Sequence, residues 1–324
     1  MKAVVISRPG RPEVLELREV EDPEAGEGEV VIKIVAAAVN GADTEQRQGK
    51  YPPPPGASLY PGLECSGVVE AVGYGVSKWK IGDEVCALLG GGGYAEKVNV
   101  PAGQLLPIPK GVSLRDAAGL PEVACTVWST IFITVHLTKG ESLLIHGGGS
   151  GIGTFAIQIA KAKGVKVFVT AGSDEKVKEC IKLGADSGIN YKTEDFVERV
   201  KALTGGKGVD VILDVVGAPY LNRNLEALAI AGRLFIIGYQ AGLEGEINLG
   251  AIRSKRLAVA GAGLRSRTKE NKAQIVQEVI KNVWPEIEAG KVKIVIDEVF
   301  PLGKAAEAHH AMERSHFGKI LLTC

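Results

Sequence analysis

The stretch that most restricts the fold of this chain is IHGGGSGIGT, residues 145–154, in which five of ten residues are glycine. The apolar run ESLLIH (141–146) precedes it, and residues 151–163 follow with apolar side chains at helical spacing. A strand, a tight glycine turn and a helix in this order are typical of the phosphate-binding element of a dinucleotide-binding domain. Glycine permits the tight turn and lets a pyrophosphate approach the helix N-terminus closely.

The turn departs from the G-x-G-x-x-G fingerprint at one position. Gly148 to Gly153 occupies its place, and Ser150 stands where the second glycine falls, which would add a hydroxyl donor near the phosphates. The alternative is a glycine-rich turn without a ligand, but the strand, turn, helix and next strand occur in the right order. We therefore predict that the phosphate-binding residues are Gly148, Gly149, Ser150, Gly151, Ile152 and Gly153.

The rest of this region alternates strands with helices. Apolar or β-branched runs predict strands at 141–146, 165–170, 188–190, 209–216, 232–238 and 256–263. Helices are predicted at 151–163, 174–183 and 193–203, with Ser173 as an N-cap and Lys176 at the third helical position. Such alternation predicts an α/β fold with a doubly wound parallel sheet, the Rossmann domain.

The two ends of the chain have another pattern. Residues 1–120 contain short β-branched runs separated by turns such as PPPPG (52–56), which predict a small β-barrel or sandwich. The C-terminal stretch predicts helices at 269–282 and 304–314 and strands at 296–300 and 319–323, and one simple arrangement returns it to the first domain. We therefore expect three segments: a catalytic domain at 1–123, a nucleotide-binding domain at 124–263 and a returning segment at 264–324.

The second strand indicates which nucleotide binds. An acid at its end would bind the ribose hydroxyls of NAD and repel a 2′-phosphate, and residues 169–173 contain none. Ser173 can donate a hydrogen bond to that phosphate, and Lys176 can reach it as a point charge. Lys176 could instead be a solvated helix lysine, and Asp174 and Glu175 would weaken the preference. We predict NADPH as the cofactor.

Charge and composition exclude several classes of function. Lys plus Arg and Asp plus Glu each number 38, so the net charge is zero, and we expect neither nucleic acid nor an anionic membrane as partner. Two basic stretches, RSKR (253–256) and RSR (265–267), are the local exceptions. No apolar stretch is expected to reach the roughly 20 residues that span a bilayer. The five cysteines and five histidines lack zinc-ligand spacing, and the cysteines are expected to be buried fillers. A cytoplasmic protein is expected.

Several long stretches carry a resemblance to a known family. The chain resembles the zinc-free quinone oxidoreductases of the medium-chain dehydrogenase/reductase superfamily, the group that includes zeta-crystallin, and most of all the tumour-suppressor-inducible ones. This implies a GroES-like β-barrel catalytic domain and a Rossmann domain. The resemblance covers nearly the whole chain, in residues 26–58, GLECSGVV (62–69), WKIGDEVCALLGGGGYAE (79–96), IHGGGSGIGT, LGADSGINYKTEDF (183–196) and GRLFIIG (232–238).

The same resemblance bears on metal. Zinc alcohol dehydrogenases of this superfamily place a cysteine where this chain has Asn40 and a histidine where it has Leu63. They also carry a lobe with closely spaced cysteines, which is absent here. Neither asparagine nor leucine offers the thiolate or imidazole that zinc needs, so no metal is expected.

The resemblance also implies site residues. It puts Asn40, Asp43 and Tyr51 on the wall of the active-site cleft, Thr126 against the nicotinamide and Tyr191 near the adenosine-phosphate end. Each has another explanation: Asn40 and Asp43 could cap a local turn, Tyr51 could pack on prolines, and Thr126 could be an N-cap or helix-face residue. The nicotinamide side is implied to be lined by Gly238, Tyr239, Leu264 and Phe317.

The expected reaction is hydride transfer from NADPH to a quinone, with Tyr51 O–H and the Asn40 amide as donors to the developing oxyanion. Three alternatives stay open: single-electron reduction, reduction of α,β-unsaturated carbonyls, and an NADPH-binding protein with little turnover. Residues 256–263 form the predicted final strand of the sheet, and an apolar edge invites pairing with another chain. A homodimer through this strand is therefore expected, the alternative being a monomer whose edge is covered by its own C-terminal segment.

Overall fold

The structure is a computed structural model that describes all 324 residues. The chain forms two compact units. Unit 1 comprises Met1–Cys125, Leu264–Ala289 and Ile294–Cys324, and unit 2 comprises Thr126–Gly263 and Gly290–Lys293.

Fifteen strands and ten α-helices make up the two units. The strands are β1 (Lys2–Ile6), β2 (Leu15–Glu19), β3 (Glu29–Val39), β4 (Glu64–Val72), β5 (Glu84–Leu88), β6 (Lys97–Pro101), β7 (Leu105–Pro107), β8 (Ser142–His146), β9 (Lys166–Ala171), β10 (Ser187–Asn190), β11 (Val209–Asp214), β12 (Leu228–Ile236), β13 (Ala258–Gly261), β14 (Ile296–Pro301) and β15 (Lys319–Thr323). The helices are α1 (Gly41–Arg47), α2 (Pro121–Val127), α3 (Gly151–Ala162), α4 (Asp174–Lys182), α5 (Phe196–Leu203), α6 (Leu221–Ala227), α7 (Leu249–Lys255), α8 (Lys269–Asn282), α9 (Trp284–Glu288) and α10 (Ala305–Glu313).

Unit 1 is built around the long strand β3. Its sheet has the order β14-β15-β3-β4-β5-β7, with β6 also paired to β3, while β1 and β2 form a separate antiparallel pair. Val30, Ile32 and Ile34 alternate along β3 and are buried in one hydrophobic core, as the two-residue period of a strand requires. Since β15 pairs antiparallel with β3, the last strand of the chain joins the sheet of unit 1.

Unit 2 is a parallel sheet. Its strand order is β10-β9-β8-β11-β12-β13, and all five pairings are parallel. Counted from β8, this is the order 3-2-1-4-5-6 of a doubly wound Rossmann sheet, which reverses direction between β8 and β11. The core contains Leu144, Phe168, Ile212 and Leu234, one from each of four adjacent strands. The predicted fold class is confirmed.

Two local predictions need correction. The helix expected at 193–203 begins at Phe196, because the Asp195 carboxylate accepts hydrogen bonds from the amides of Val197 and Glu198 and caps the helix there. The strand expected at 256–263 is limited to β13, since Arg256 has a left-handed backbone (φ 54°) that ends α7. Helices α6 and α7 themselves were not predicted.

One apolar helical segment is nearly as long as a membrane span. Asp116–Thr134 runs through a short 3-10 turn, α2 and a π-helical stretch, and its 19 residues are apolar enough to cross a membrane by length and composition. We expected no apolar stretch to reach roughly 20 residues, and this segment has 19. Because 72% of the segment's window is buried inside the protein, it has the character of a core helix and is weak evidence for a membrane span.

The cysteines are all free thiols. Cys65, Cys86, Cys125 and Cys180 are buried, as predicted for apolar fillers, whereas Cys324 is exposed at the chain end.

Candidate active site

The cofactor-binding residues predicted in unit 2 meet at one edge of its sheet. Parallel strands end at a common edge, where ligands of such folds bind. The glycine turn follows β8, Ser173 follows β9, Tyr191 follows β10, and Gly238 and Tyr239 follow β12. The structure therefore brings together residues that lie up to about ninety positions apart, next to the point where the strand order reverses.

The glycine turn is shaped by its own backbone. Gly147 has φ 75°, a left-handed conformation that favours glycine. A Cβ on Gly153 would lie 2.3 Å from the Gly147 carbonyl oxygen, and one on Gly148 would lie 2.8 Å from Cβ of Val169. At these two positions the turn packs so closely against the start of α3 and against β9 that only the hydrogen atom of a glycine side chain fits.

Ser150 caps α3. Its Oγ accepts a hydrogen bond from the Gly153 amide (3.0 Å) and donates one to the Gly147 carbonyl (2.8 Å). The hydroxyl hydrogen is thereby used within the turn, so donation to a phosphate would require it to rotate away. The other first-turn amides of α3 have no partner inside the helix and face the position that an anion would take. These features fit a dinucleotide pyrophosphate.

A buried polar network lies beneath the turn. His146, at the end of β8, contacts Thr170 Oγ1 (3.1 Å) and Asn224 Oδ1 (2.8 Å), and Asn224 Nδ2 donates to Asp214 (3.2 Å). An amide oxygen only accepts, so Nε2 of His146 carries the proton. Burial lowers the pKa of His146 to about 4, which keeps the ring neutral, and the network holds the ends of β8, β9 and β11 together.

Ser173, Lys176 and Tyr191 lie near the end of β9. Ser173 caps α4, as predicted, with its Oγ accepting from the Lys176 amide (3.3 Å). Tyr191 O–H lies so close to Gly172 that a Cβ there would be 2.7 Å away, so the tyrosine packs across the end of the strand. Lys176 is half-buried in the first turn of α4. After β12, which lies across the switch point from β9, Tyr239 follows Gly238 and is 40% exposed.

In unit 1, Asn40 and Asp43 lie at the junction of β3 and α1. Asp43 is fully buried, and its carboxylate accepts from the amides of Asn40 and Gly62, both at 2.8 Å. The first of these bonds caps α1, so the local capping explanation is part of what these residues do. Burial raises the pKa of Asp43 to about 6, against the two amide hydrogen bonds.

The side chain of Asn40 is locked by a buried ion pair. Lys319, on β15, donates to Asn40 Oδ1 (2.7 Å) and to Glu64 Oε1 (2.6 Å), and it is only 3% exposed. The Asn40 amide donates to the same Glu64 oxygen (3.0 Å) and to the Ala38 carbonyl (3.3 Å). Both of its N–H bonds are directed at protein acceptors, so a substrate oxygen would have to compete with them.

Asp43 also ends a chain of buried hydrogen bonds. Arg47 NH1 lies 3.2 Å from His309 Nδ1, His309 Nε2 lies 3.1 Å from Tyr94 O–H, and that hydroxyl lies 3.4 Å from Asp43. A guanidinium only donates, so Nδ1 accepts, Nε2 carries the proton, and the tyrosine hydroxyl is left to donate to the carboxylate. Burial lowers the pKa of His309 to about 3, which keeps this direction fixed.

Tyr51 is held from a distant part of the sequence. Arg265 is 4% exposed and donates to the carbonyls of Gly90 (2.8 Å) and Tyr51 (3.3 Å) and to Gln46 Oε1 (2.7 Å). Its guanidinium lies 5.3 Å from the Tyr51 ring centre. The RSR stretch is therefore not a wholly exposed basic patch.

The remaining predicted residues are dispersed. Leu264 is buried next to Arg265, and Phe317 is partly buried in the segment before β15, both in unit 1. Thr126 lies in the last turn of α2, where its carbonyl accepts from Ser129 Oγ (3.3 Å) and Thr130 Oγ1 (2.7 Å).

The sequence reading missed Glu64, Lys319, Arg265, Tyr94 and His309. A lysine that begins an otherwise apolar strand, KILLT, was the one available sign that Lys319 is buried. No group of three or more His, Cys, Asp or Glu side chains is arranged to hold a metal ion.

Comparisons with known proteins agree with this architecture. Residues 26–110 match the family described as alcohol dehydrogenase GroES-like domain, and residues 151–282 match the family described as zinc-binding dehydrogenase. The chain is 35% identical to rat quinone oxidoreductase over 99% of this chain and 97% of that one. It is 33% identical to a 2-haloacrylate reductase from Burkholderia sp over 99% and 98%. The crystal structure of Escherichia coli quinone oxidoreductase complexed with NADPH superposes with a TM-score of 0.89, at 31% identity and full coverage of both chains.

A GroES-like unit and a Rossmann unit with a glycine turn at its switch point define a nicotinamide-dependent dehydrogenase or reductase. The chain belongs to the quinone oxidoreductase family of the medium-chain dehydrogenase/reductase superfamily.

Proposed function

We propose that this protein reduces quinones with NADPH. The observation that carries the proposal is the Gly147–Gly153 turn at the switch point of a sheet whose second strand, β9, is followed by Ser173 and by Lys176 in the first turn of α4, with no acid among residues 169–173. The rat relative is named for quinone reduction, and the E. coli relative binds NADPH in its crystal structure. We assign cofactor binding to residues 124–263 and catalysis to residues 1–123 and 264–324.

The roles of the residues follow from this assignment. Bound NADPH supplies a hydride. The turn and the start of α3 hold its pyrophosphate, Ser173, Lys176 and Tyr191 its adenosine end, and Thr126, Gly238, Tyr239, Leu264 and Phe317 its nicotinamide side. Asn40 and Asp43 give the cleft a rigid wall, and Tyr51, anchored by Arg265, donates to the quinone oxygen as negative charge develops.

Steady-state oxidation of NADPH tests the proposal, with ortho-quinones, para-quinones and enones as acceptors. We expect turnover with quinones and a lower kcat for Tyr51→Phe, which removes one oxyanion donor and keeps the ring on Arg265. Activity with enones alone would favour the second candidate, reduction of α,β-unsaturated carbonyls, which the likeness to the 2-haloacrylate reductase supports. NADPH binding without turnover on any acceptor would contradict both.

The choice of cofactor gives a direct prediction. Lys176→Ala should weaken NADPH binding and leave NADH binding almost unchanged, because NADPH alone carries the 2′-phosphate. A hydrogen bond to a charged group contributes about 1.5–3 kcal/mol, so the dissociation constant for NADPH should rise on the order of ten- to a hundredfold. Fluorescence titration with both cofactors measures this, and Lys178→Ala, on an exposed position of α4, is the matched control. Equal losses for both cofactors would remove Lys176 from this role.

Independence of zinc is a second prediction. Asn40 and Leu63 stand at the positions where zinc alcohol dehydrogenases have a cysteine and a histidine. The Asn40 side chain accepts a hydrogen bond from Lys319, and Leu63 is buried. We expect metal analysis of the purified protein to find no stoichiometric zinc, and chelators to leave NADPH oxidation unchanged. One tightly bound zinc ion per chain would contradict this.

The third prediction concerns assembly. β13 is the edge strand of the unit 2 sheet, and Val259 is 37% exposed. Its sequence, AVAG, has no charged side chain that would discourage pairing with a strand of another chain. We propose a cytoplasmic homodimer in which β13 pairs with its copy across a two-fold axis. Light scattering at micromolar concentration should give the mass of two chains, and Val259→Pro should shift the protein toward monomer. A wild-type mass of one chain would contradict the dimer.

A further inference from the structure

The first turn of α4 carries both an acid and a lysine, and the structure places them on different sides of the helix. Residues three or four positions apart share a helix face, whereas residues two apart lie about 200° apart around the axis. Lys176 therefore shares a face with Cys180, and Asp174 shares one with Val177. The first face is directed at the glycine turn, because a Cβ on Gly148 would lie 3.0 Å from Cys180 Sγ.

The face of α4 that contains Asp174 is directed at strand β10. A Cβ on Gly188 would lie 2.5 Å from Val177 Cγ1, so α4 packs closely on β10 at this glycine. Side chains two residues apart on a strand lie on the same face, so Asn190 also faces α4. Its Nδ2 donates a hydrogen bond to Asp174 Oδ1 at 2.8 Å.

The side chain of Asn190 is fixed at both ends. It is 7% exposed, and its Oδ1 accepts from the backbone amide of Lys192 (3.1 Å), which closes an Asx turn. With the oxygen used in this way, the nitrogen faces Asp174 as a donor. Asp174 belongs to an exposed position of α4, and this bond holds its carboxylate against the end of β10.

We propose that Asn190 is a positioning residue for cofactor specificity, which keeps the charge of Asp174 away from the 2′-phosphate of NADPH. The inference rests on the proposed use of NADPH, with its 2′-phosphate beside Ser173 and Lys176. Like charges repel over several ångströms even in water, so a carboxylate free to turn toward the phosphate would oppose binding of NADPH and not of NADH. From the sequence, Asp174 was expected to weaken the preference for NADPH. Held by Asn190, it does so less.

Asn190→Ser tests the bond to Asp174. Serine is too short to reach the carboxylate, but its hydroxyl can accept from the amide two residues on and so keep the turn. The dissociation constant for NADPH should rise on the order of fivefold, and that for NADH should change by less than about twofold. NADH binding by the same variant shows that the site is still folded. Fluorescence titration with both cofactors measures the constants.

Removal of the Asp174 charge separates repulsion from a change of shape. In the Asn190→Ser background, Asp174→Asn should bring the dissociation constant for NADPH back to at most about twofold above the wild type. In the wild-type background, Asp174→Asn should change it much less, because Asn190 already holds the charge away. The other acid of this turn, Glu175, hydrogen-bonds the Ser173 side chain and is kept in every variant.

Salt gives a further readout that a purely structural role would not move. The extra loss for NADPH in Asn190→Ser should shrink between roughly 50 mM and 500 mM salt, because ions screen the repulsion between exposed charges. The matched control is Asn282→Ser in unit 1. It releases another carboxylate, Glu278, from an asparagine amide that donates to it (2.9 Å), and both constants should stay as in the wild type.

Three results would overturn the inference and leave the proposed function intact. They are an unchanged NADPH affinity in Asn190→Ser, equal losses for both cofactors, and a loss for NADPH that Asp174→Asn does not reverse. A wild type that binds NADH as tightly as NADPH would instead contradict the choice of cofactor on which the inference rests.

Discussion

Replacing Gly153 with alanine is expected to abolish NADPH binding, with a loss of affinity of at least about 100-fold, or about 2.7 kcal/mol. The new Cβ would lie 2.3 Å from the Gly147 carbonyl oxygen and 2.7 Å from Cα of Gly148. Both neighbours are backbone atoms of the turn that is to hold the pyrophosphate, so they can move away only by reshaping it. The Ser150 cap, which binds the Gly153 amide, would be displaced as well.

Titration of NADPH fluorescence measures the loss, and thermal unfolding shows whether unit 2 stays folded. Gly303→Ala is the matched control, because its Cβ would find only Leu17 Cδ2 at 3.6 Å, an ordinary contact. A Gly153→Ala protein that is folded and binds NADPH as the wild type does would mean that the phosphate site is elsewhere.

The sequence predicted unit 2 well because its signals are local. The strand, turn and helix at 141–163 are consecutive, and the cap at Ser173 lies within one turn of the amide that it binds. Helices α6 and α7 are seven residues each and lack such a clear pattern, so they escaped prediction. The start of α5 was misplaced because a competing cap, Asp195, lies two residues beyond Thr193, where the helix was expected to begin.

The buried polar contacts of unit 1 could not be predicted from the sequence, because the residues that form them lie far apart in the chain. Lys319 and Glu64 are 255 positions apart, and Arg47 and His309 are 262 apart. A charged residue is expected from sequence to be exposed, and only the pairing of β15, β3 and β4 brings Lys319 and Glu64 together in the core. Asn40 and Asp43 were named through a resemblance, and that resemblance did not include the partners that fix them.

Lys319→Met is the second large effect that we expect, with a loss of about 3–5 kcal/mol in the free energy of unfolding at neutral pH. The ammonium is 3% exposed and Glu64 is fully buried, so the substitution leaves a carboxylate in the core without its ionic partner. Asn40 Oδ1 loses its donor too, so the amide is held only through its Nδ2 bonds to Glu64 and Ala38, and kcat should fall. Chemical denaturation measures the change in stability.

Two further variants isolate the buried pair as the cause. Lys304→Met removes a lysine whose ion pair with Glu307 is exposed, and such pairs contribute about 0–1 kcal/mol, so its stability should hardly change. The double variant Lys319→Met with Glu64→Gln removes both charges and should recover much of the loss, because the main cost is the desolvated, unpaired carboxylate. It should not recover kcat, since nothing then holds Asn40 Oδ1. Equal stability losses in the single and double variants would show that the aliphatic packing of Lys319, and not its charge, stabilises this part of unit 1.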